Sequence, residues 1–413
     1  MKKLLILSFD LIRPGESAMP LAMGSILSYL KMDAGHNVTF TVDHHSVNML
    51  AFEQSPSIDE LTPLLLDMNL HEFDFIALSA YIWNEYLTRK LMQMIREKTG
   101  FHGAFILGGY QISYTASPER EYPEASYFIQ GYAEESLLSI LKGTVQDRRI
   151  NIPLAFEQIP SPYLNGIIPI AYGQERVRLE TKRGCPYRCS FCAHRDLTHH
   201  KVYHQHLDKV FQEIALFQER GVRKINVLDP IFNAGREYPE IMAEMLRIKL
   251  KALVSFQARF ETITGTRGVQ FLDACSELNV ELEFGLQTAI REESELIDRK
   301  NQPQKIQAVM HQLNERKIPY EVSLIYGLPG QTLDSFRRSI DFVRENGCQR
   351  VVAFPLMLLK GTKLYTEKDK YGFQEGSSGE FHIPVVTSSH SFSRSDWEEM
   401  GKIAAELGEG ERV

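Results

Sequence analysis

The sequence predicts an α/β protein of two domains, an open doubly wound parallel sheet followed by a partial β/α barrel. Three observations lead there. The 413 residues exceed what one typical domain holds. Short apolar runs alternate with helical stretches along most of the chain, the pattern of parallel strands covered by helices. Between about residues 146 and 174 the alternation stops, and Pro153, Pro160, Pro162 and Pro169 cannot donate ladder hydrogen bonds. The expected domains are therefore 1–145 and 175–370, joined by a Pro-rich linker at 146–174 and followed by a less regular extension at 371–413.

In the first domain, the runs at 4–8, 38–42, 75–79, 104–107 and 127–129 read as strands, and 19–32, 86–98 and 134–141 read as helices. Doubly wound sheets bind ligands beyond the carboxyl ends of their strands. That rule directs attention to the loops at 79–83, 108–113 and 130–135. In the second domain, strands are expected at 177–181, 224–228, 254–258, 280–284, 320–325 and 351–354. Six strand–helix units stop short of the eight that close a full barrel, and the residues just after each strand are the functional candidates.

Composition narrows the function. A hydrophobic share of 43% and a charged share of 24% are ordinary for a globular protein. The net charge of -7 offers no broad cationic face, which disfavours a nucleic-acid partner. No run approaches the roughly 20 apolar residues of a membrane span, and the run at 4–7 after Met1-Lys2-Lys3 is short enough for a buried strand, so no membrane partner and a cytoplasmic location are expected. Of the five cysteines, three fall within eight residues, whereas Cys275 and Cys348 stand alone and read as small core residues. This is not a disulfide framework, and metal or cluster binding is the better reading of the trio.

The trio is Cys185-Pro186-Tyr187-Arg188-Cys189-Ser190-Phe191-Cys192, with spacing CxxxCxxC, placed just after the first barrel strand. Thiolates at this density suit an iron–sulfur cluster or zinc. A zinc site would be completed by His194, but structural zinc usually takes four ligands in paired knuckles, and a second knuckle is not present. A [4Fe–4S] cube on three cysteines keeps one iron free for a small molecule.

On these residues the sequence resembles the radical S-adenosylmethionine superfamily, and the runs that follow carry the resemblance along the barrel. It implies that Cys185, Cys189 and Cys192 hold a [4Fe–4S] cluster whose free iron chelates the methionine end of S-adenosylmethionine, and that an electron from the cluster releases a 5′-deoxyadenosyl radical. It implies that Phe191 packs near adenine and that Asp229, in Asp229-Pro230-Ile231-Phe232-Asn233, holds the methionine amine; the alternative for Asp229 is a turn-former before proline. Arg259, in Gln257-Ala258-Arg259-Phe260, would pair with the methionine carboxylate, the alternative being a surface ion pair. Gln287, in Phe284-Gly285-Leu286-Gln287-Thr288, resembles the family's polar residue beside the ribose. Gly327 opens Gly327-Leu328-Pro329-Gly330-Gln331-Thr332, similar to the family's Gly-Leu-Pro-Gly-Glu-Thr turn with Gln331 in place of Glu. Leu356 and Met357 fall where the family flanks adenine.

A doubly wound domain ahead of the cysteines resembles the cobalamin-binding, Rossmann- or flavodoxin-like domain of the branch that contains the class B methylases. Gly108-Gly109-Tyr110 is similar to that branch's Gly-Gly-Pro turn, and Gly131-Tyr132-Ala133-Glu134 to its Gly-Glu-Gly-Glu run. The resemblance assigns Ser79, Tyr81, Gly108, Gly109, Tyr110, Gly131 and Glu134 to cobalamin. Tyr110, Tyr132 and Ala133 depart from it, so a domain that keeps the fold without the cofactor stays open. Asp43-His44-His45-Ser46-Val47-Asn48 only approximates the Asp-x-His-x-x-Gly of base-off cobalamin sites, and both histidines read as loop residues after the second strand. Methylthiotransferases hold a second cluster on N-terminal cysteines, and residues 1–184 contain none. The resemblance implies a methyltransferase acting at an unactivated carbon of a small-molecule or peptide substrate, with a reductase such as flavodoxin or ferredoxin as electron donor. The alternatives are a radical rearrangement, cyclisation or oxidation in which cobalamin is absent or donates no methyl group, and a non-catalytic binding module.

Overall fold

The computed structural model describes residues 1–34, 40–52, 56–153, 155–194, 201–379 and 382–408. The chain divides into two compact units, Met1–Ile170 with Ser378–Ile383 and Ala171–Ser377 with Pro384–Val413.

The first unit is a six-stranded parallel sheet of β1 (Lys2–Asp10), β2 (Phe40–Asn48), β3 (Phe75–Ser79), β4 (Ala104–Gly108), β5 (Ala125–Ile129) and β6 (Arg149–Ile150), in the order β2-β1-β3-β4-β5-β6. The order reverses between β1 and β3, which sets the topological switch point there. Central β1 is apolar without alternation because both faces are covered. Leu5, Leu7 and Phe9 pack in one cluster with Leu61 and Leu65 of the helix Ile58–Leu66 and Leu87, Leu91 and Ile95 of the helix Glu85–Lys98. Ile6 and Ser8 face Met23 and Ile26 of the helix Leu21–Ala34.

The first-domain strands and helices appear where the apolar pattern predicts them, with three differences. The helix Ile58–Leu66 carries a capping box in which Ser57 and Glu60 satisfy each other's backbone N–H groups, a Ser-x-x-Glu signal ahead of an apolar run. β6 adds a short edge strand from the Pro-rich segment. The histidine reading needs correction: His44 and His45 lie inside β2, paired with Ile6 and Leu7, because β1 and β2 stay in register from Lys2↔Phe40 to Asp10↔Asn48. The His44 ring lies 3.1 Å from the Ser8 hydroxyl, and Ser8 and Ser46 both donate to Asp10 at 2.6 Å. These polar groups satisfy one another across two neighbouring strands.

The second unit is the partial barrel. β7 (Arg176–Leu179) leads into a small hairpin of β8 (Lys182–Arg183) and β9 (Tyr203–His204), and the sheet continues with β10 (Lys224–Val227), β11 (Leu253–Ala258), β12 (Val280–Gln287), β13 (Tyr320–Tyr326) and β14 (Arg350–Pro355). The order is β14-β13-β12-β11-β10-β7, parallel throughout, with β7 and β14 as its two edges. Along β12 and β13, buried residues alternate with half-buried ones. The buried set, Leu282, Phe284, Val322 and Leu324 among it, packs under the helices, while Glu281, Glu283, Gly285, Gln287 and Ser323 turn to the other, inner face. A second hairpin, β15 (Gln374–Ser378) with β16 (Ile383–Ser388), and the helix Arg394–Gly408 follow the barrel.

Candidate active site in the second unit

The cysteine loop is closed at its base. Thr181 and Lys182 leave β7, Lys182–Arg183 pairs antiparallel with Tyr203–His204, and Gly184 then takes φ +87. A Cβ at Gly184 would stand 2.4 Å from the Lys201 carbonyl oxygen, so glycine is required at this crossing. Farther out, the Ser190 N–H donates to the Ile297 carbonyl at 2.9 Å and the Leu364 N–H donates to the Ser190 carbonyl at 3.0 Å. The loop is held from both sides by backbone, independently of anything the thiols bind.

Asp229 serves the base of this loop. It is fully buried, accepts from the Thr181 and Lys182 N–H groups at 2.8 and 3.1 Å, and stands 3.9 Å from the Lys182 ammonium. Burial pushes its carboxyl up, against the pull of Lys182 and Thr181. Lys182 in turn donates to the Phe232 and Ala234 carbonyls at 2.9 and 2.6 Å.

Beyond the loop lies an open cleft of about 840 Å³ at the carboxyl ends of the barrel strands, lined by Cys185, Cys189 and Cys192 together with Phe191, Arg259 and Gln287. With His194, which also lines it, seven of the residues singled out in the sequence share one cavity. Asp229, Gly327, Leu356 and Met357 do not line it. Gly327 has its N–H bound by the Gln331 side chain at 2.7 Å, and the same amide accepts from Leu328 and donates to the Ile325 carbonyl, so the turn closes on itself. Leu356 is buried, its N–H donating to the Tyr326 carbonyl, and Met357 bridges to Val385 of β16.

Gln287 is held in an unusual conformation. It is a non-glycine residue at φ +70, where β12 slips register against β13 between Gly285 and Gln287. Such backbone costs on the order of 1–3 kcal/mol and persists only where its surroundings enforce it. Here Arg299 donates to the Gly285 carbonyl, and the Asn301 amide donates to the Leu286 and Thr288 carbonyls at 2.9 and 2.8 Å. The result lays the Gln287 amide over Gly285, 2.4 Å from where a Cβ would be.

Two guanidinium groups border the cleft. Arg259 lies over the Tyr187 ring, 3.9 Å from its centroid, and pairs through Nε with Glu261 at 2.9 Å, while its Nη1 is buried without a hydrogen-bond partner. Arg299 Nη1 stands 3.8 Å from the Cys189 sulfur, and its Nε is likewise buried and unpartnered. The His194 N–H points at the Cys192 sulfur at 3.4 Å. Burial pushes the Cys185 thiol up and the Cys192 thiol up to about 11, so both carry protons until a metal compensates their charge. Arg195 and Asp196, which follow His194, lie outside the described residues.

Arg299, Tyr187, Gln257, Glu283 and Ser323 also line the cleft and were not singled out in the sequence. The signal for Gln257 and Glu283 was present as polar residues alternating with apolar ones along β11 and β12. Arg299 had no such signal, since it reaches the cleft from a connecting segment after a short helix.

Residues 179–343 match the model of the Radical SAM superfamily. The chain carries a radical SAM domain. Among curated proteins it is similar to the cobalamin-dependent radical SAM methyltransferase TokK of Streptomyces tokunonensis, 23% identical over 345 residues, which are 73% of this chain and 50% of TokK. It is also similar to the 2-(S-pantetheinyl)-carbapenam-3-carboxylate methyltransferase of Streptantibioticus cattleyicolor, 24% identical over 380 residues, 78% of this chain and 55% of that protein. The chain thus spans about half the length of the curated relatives it matches. In fold it is similar to the radical S-adenosylmethionine methyltransferase TsrM from Kitasatospora setae, solved with cobalamin and a [4Fe–4S] cluster bound, with a TM-score of 0.72 at 13% identity over 98% of this chain and 91% of that one. Among the described residues no helix is long and apolar enough to cross a membrane.

The first unit has its own crevice, about 480 Å³, at the carboxyl ends of β1, β3 and β4 beside the switch point. Ser79, Tyr81, Gly108 and Gly109 line it, with Ile6, Met23, Ile106 and Leu137. Tyr110, Gly131 and Glu134 do not: Tyr110 opens the short helix Tyr110–Ser113 and packs on Tyr114, Gly131 is held by the Ser113 hydroxyl, and Glu134 is buried at the start of the helix Glu134–Lys142. Tyr81 stacks on Trp83, with ring centroids 4.6 Å apart, and the Trp83 indole N–H donates to the Phe9 carbonyl at 3.0 Å.

Proposed function

We propose that this chain is a cobalamin-dependent radical SAM methyltransferase acting at an unactivated carbon of a small-molecule or peptide substrate, with a flavodoxin or ferredoxin as its reductant. The observation that carries the reading is the convergence of the three cysteines, Phe191, Arg259 and Gln287 on one cleft at the barrel's carboxyl end.

The residues fit the groups this activity needs. Cys185, Cys189 and Cys192 face one cavity. Three thiols on one cavity suit an iron–sulfur cube in which each would meet a different iron. The unpartnered buried donors on Arg259 and Arg299 await an acceptor, which a bound carboxylate would supply. In the first unit the apolar crevice and the close backbone of Gly108 and Gly109 suit a large, flat, largely apolar group, and Ser79 and Tyr81 would border a corrin there. When bound, the cluster supplies the electron that cleaves S-adenosylmethionine, and cobalamin supplies a transferable methyl group.

The chain's own residues do the remaining work. Arg259 and Arg299 hold the carboxylate of S-adenosylmethionine, Gln287 presents its amide from an enforced turn, and Phe191 gives an aromatic wall. Such a wall shields one side of a carbon radical from the water and stray hydrogen donors that would quench it. The test is anaerobic reconstitution with iron, sulfide and hydroxocobalamin, then reductant and S-adenosylmethionine. We expect a [4Fe–4S] Mössbauer signature, retained corrin, and production of 5′-deoxyadenosine that Cys189→Ala abolishes, a loss of at least a hundredfold. With substrate, S-adenosylhomocysteine forms alongside. Full activity in Cys189→Ala contradicts the cluster, and 5′-deoxyadenosine without S-adenosylhomocysteine contradicts methyl transfer.

A further inference from the structure

Two of the three cysteine sulfurs receive an N–H from their own loop, and the third receives one from a distant side chain. The Tyr187 N–H donates to Cys185, and the His194 N–H donates to Cys192 at 3.4 Å. Both donors are backbone, so any residue but proline at 187 and 194 would supply them. Cys189 instead faces Arg299, whose Nη1 donates to its sulfur at 3.8 Å from 110 residues farther along the chain.

A short helix, Arg291–Leu296, builds this contact by the way it ends. Asp298 takes the left-handed φ +52, its N–H donates to the Glu295 carbonyl at 3.2 Å, and the Arg299 N–H turns back to the Ser294 carbonyl at 2.9 Å. That double closure fixes the direction in which Arg299 leaves the helix. Within the same cap the Ile297 carbonyl accepts the Ser190 N–H, which ties the cap to the cysteine loop one residue from Cys189. The guanidinium is pinned on its other side by Nη2, which donates to the Gly285 carbonyl at the foot of the Gln287 turn.

The charge so placed is buried and has no carboxylate partner. Arg299 is 8% exposed, its Nη groups meet a sulfur and a carbonyl, and its Nε has no hydrogen-bond partner. A guanidinium stays protonated at any pH a protein meets, so its burial is costly until something negative faces it. A cluster on three thiolates gains one further negative charge on reduction, and part of that charge spreads onto the sulfurs. An N–H aimed at a ligating sulfur therefore stabilises the reduced state more than the oxidised one, and hydrogen bonds to the sulfurs are among the terms that set a cluster's potential.

We propose that Arg299 is the redox-tuning residue of the site: through Cys189 it raises the reduction potential of the cluster, easing the uptake of one electron from an external low-potential reductant. This rests on reading the three cysteines as the radical SAM cluster site. The role is separate from holding the carboxylate of S-adenosylmethionine, for which Nε remains.

The test is a redox titration of the full reconstituted chain, read from the EPR signal of the reduced cluster without S-adenosylmethionine, so that carboxylate binding does not enter. Arg299→Met is expected to weaken reduction by about tenfold in the equilibrium, the equivalent of 59 mV for one electron. Arg259→Met removes a charge from the same cleft without removing an N–H from a sulfur, and should weaken it by no more than about threefold. An Arg299→Met midpoint equal to wild type overturns the proposal, as do equal shifts in the two variants, since the general charge of the cleft would then set the potential. A measurement on the wild type needs no substitution. Arginine carrying nitrogen-15 in its guanidinium should change the electron spin-echo modulation of the reduced cluster, and modulation that ignores the label overturns the contact even where Arg299→Met fails to fold. A wild type that assembles no cluster refutes the radical SAM reading together with this one. A wild type that assembles it and cleaves S-adenosylmethionine, with a midpoint indifferent to Arg299, leaves that reading standing and removes the proposal alone.

Discussion

Both units place a crevice at the carboxyl ends of parallel strands, and they line it with opposite chemistry. In the first unit the walls are Ile6, Met23, Ile106 and Leu137, softened by Ser79 and two glycines. In the second, three thiols, two guanidinium groups, a carboxylate and two amides are set among Tyr187, Phe191, Pro230 and Ile231. The contrast follows from the strands. The centre of β1, Leu4 to Leu7, and its neighbours β3 and β4 are buried apolar runs, whereas β11 to β13 are apolar only toward the helices and polar toward the cavity. Parallel sheet geometry thus supplies a position for a ligand, and the pattern along the strand decides which chemistry stands there. An apolar crevice selects by shape, a polar one by charge and hydrogen bonding.

Glycine substitutions separate the two cases. In the barrel, Gly285→Ala would put a Cβ 2.4 Å from the Gln287 side-chain nitrogen. That neighbour is the tip of a flexible side chain, so the fold can yield by displacing the amide. We expect a thermal midpoint close to wild type but a loss of S-adenosylmethionine cleavage of about a hundredfold, the scale on which misplacing one positioned group acts. Anaerobic 5′-deoxyadenosine assays on variant and wild type with matched iron content check this. Unchanged turnover would remove Gln287 from the site.

The strands and the cysteine loop were legible in the sequence because period and spacing are local properties. The six barrel strands appear within a few residues of their predicted positions, since each is an apolar run bounded by turn residues. What sequence did not carry was anything set by a partner distant along the chain. His44 looked like a loop residue because its strand is defined by pairing to β1, more than thirty residues away, and not by an apolar run of its own. Asp229 follows its strand as a ligand-binding carboxylate would, yet the space that would decide its role is filled by Thr181 and Lys182. Arg299 and Asn301 pin the Gln287 turn from a segment whose composition announces nothing.

In the first unit the corresponding glycine meets backbone. Gly109 sits at φ +95, and a Cβ there would stand 2.7 Å from the Ala80 carbonyl oxygen and 3.0 Å from the Ala80 nitrogen. Both Ala80 groups are engaged, its N–H donating to the Gly108 carbonyl and its carbonyl accepting from the Gln111 N–H. Nothing flexible can yield, so Gly109→Ala should cost roughly 1–3 kcal/mol of stability in denaturant titrations. If the crevice holds a corrin, retained cobalamin after gel filtration should fall about tenfold while iron content stays unchanged. Gly285→Ala should leave cobalamin retention intact. A Gly109→Ala variant that loses iron and corrin together would erase the distinction between the two crevices.

The smallest effect tests what a polar inner face requires of the fold. Burial alone would raise the Glu281 carboxyl, but hydrogen bonds from Arg350 and Lys224 outweigh it and hold the group below the usual carboxylate range. A carboxyl depressed in the folded state stabilises above its unfolded pKa of about 4.3, and that stabilisation fades as pH falls through the lower folded value. Glu281→Gln should therefore cost on the order of 1 kcal/mol at pH 7, where it leaves Lys224 and Arg350 facing each other without their carboxylate. The gap between variant and wild type should close as pH drops below about 4. In the first unit Leu7 of β1 belongs to an apolar cluster, so removing that buried contact, as in Leu7→Ala, should cost stability by an amount independent of pH over the same range. Denaturant midpoints of the two variants at pH 7 and pH 4 make the comparison, and a Glu281→Gln penalty that persists in acid would mean that packing, not charge, holds the inner face together.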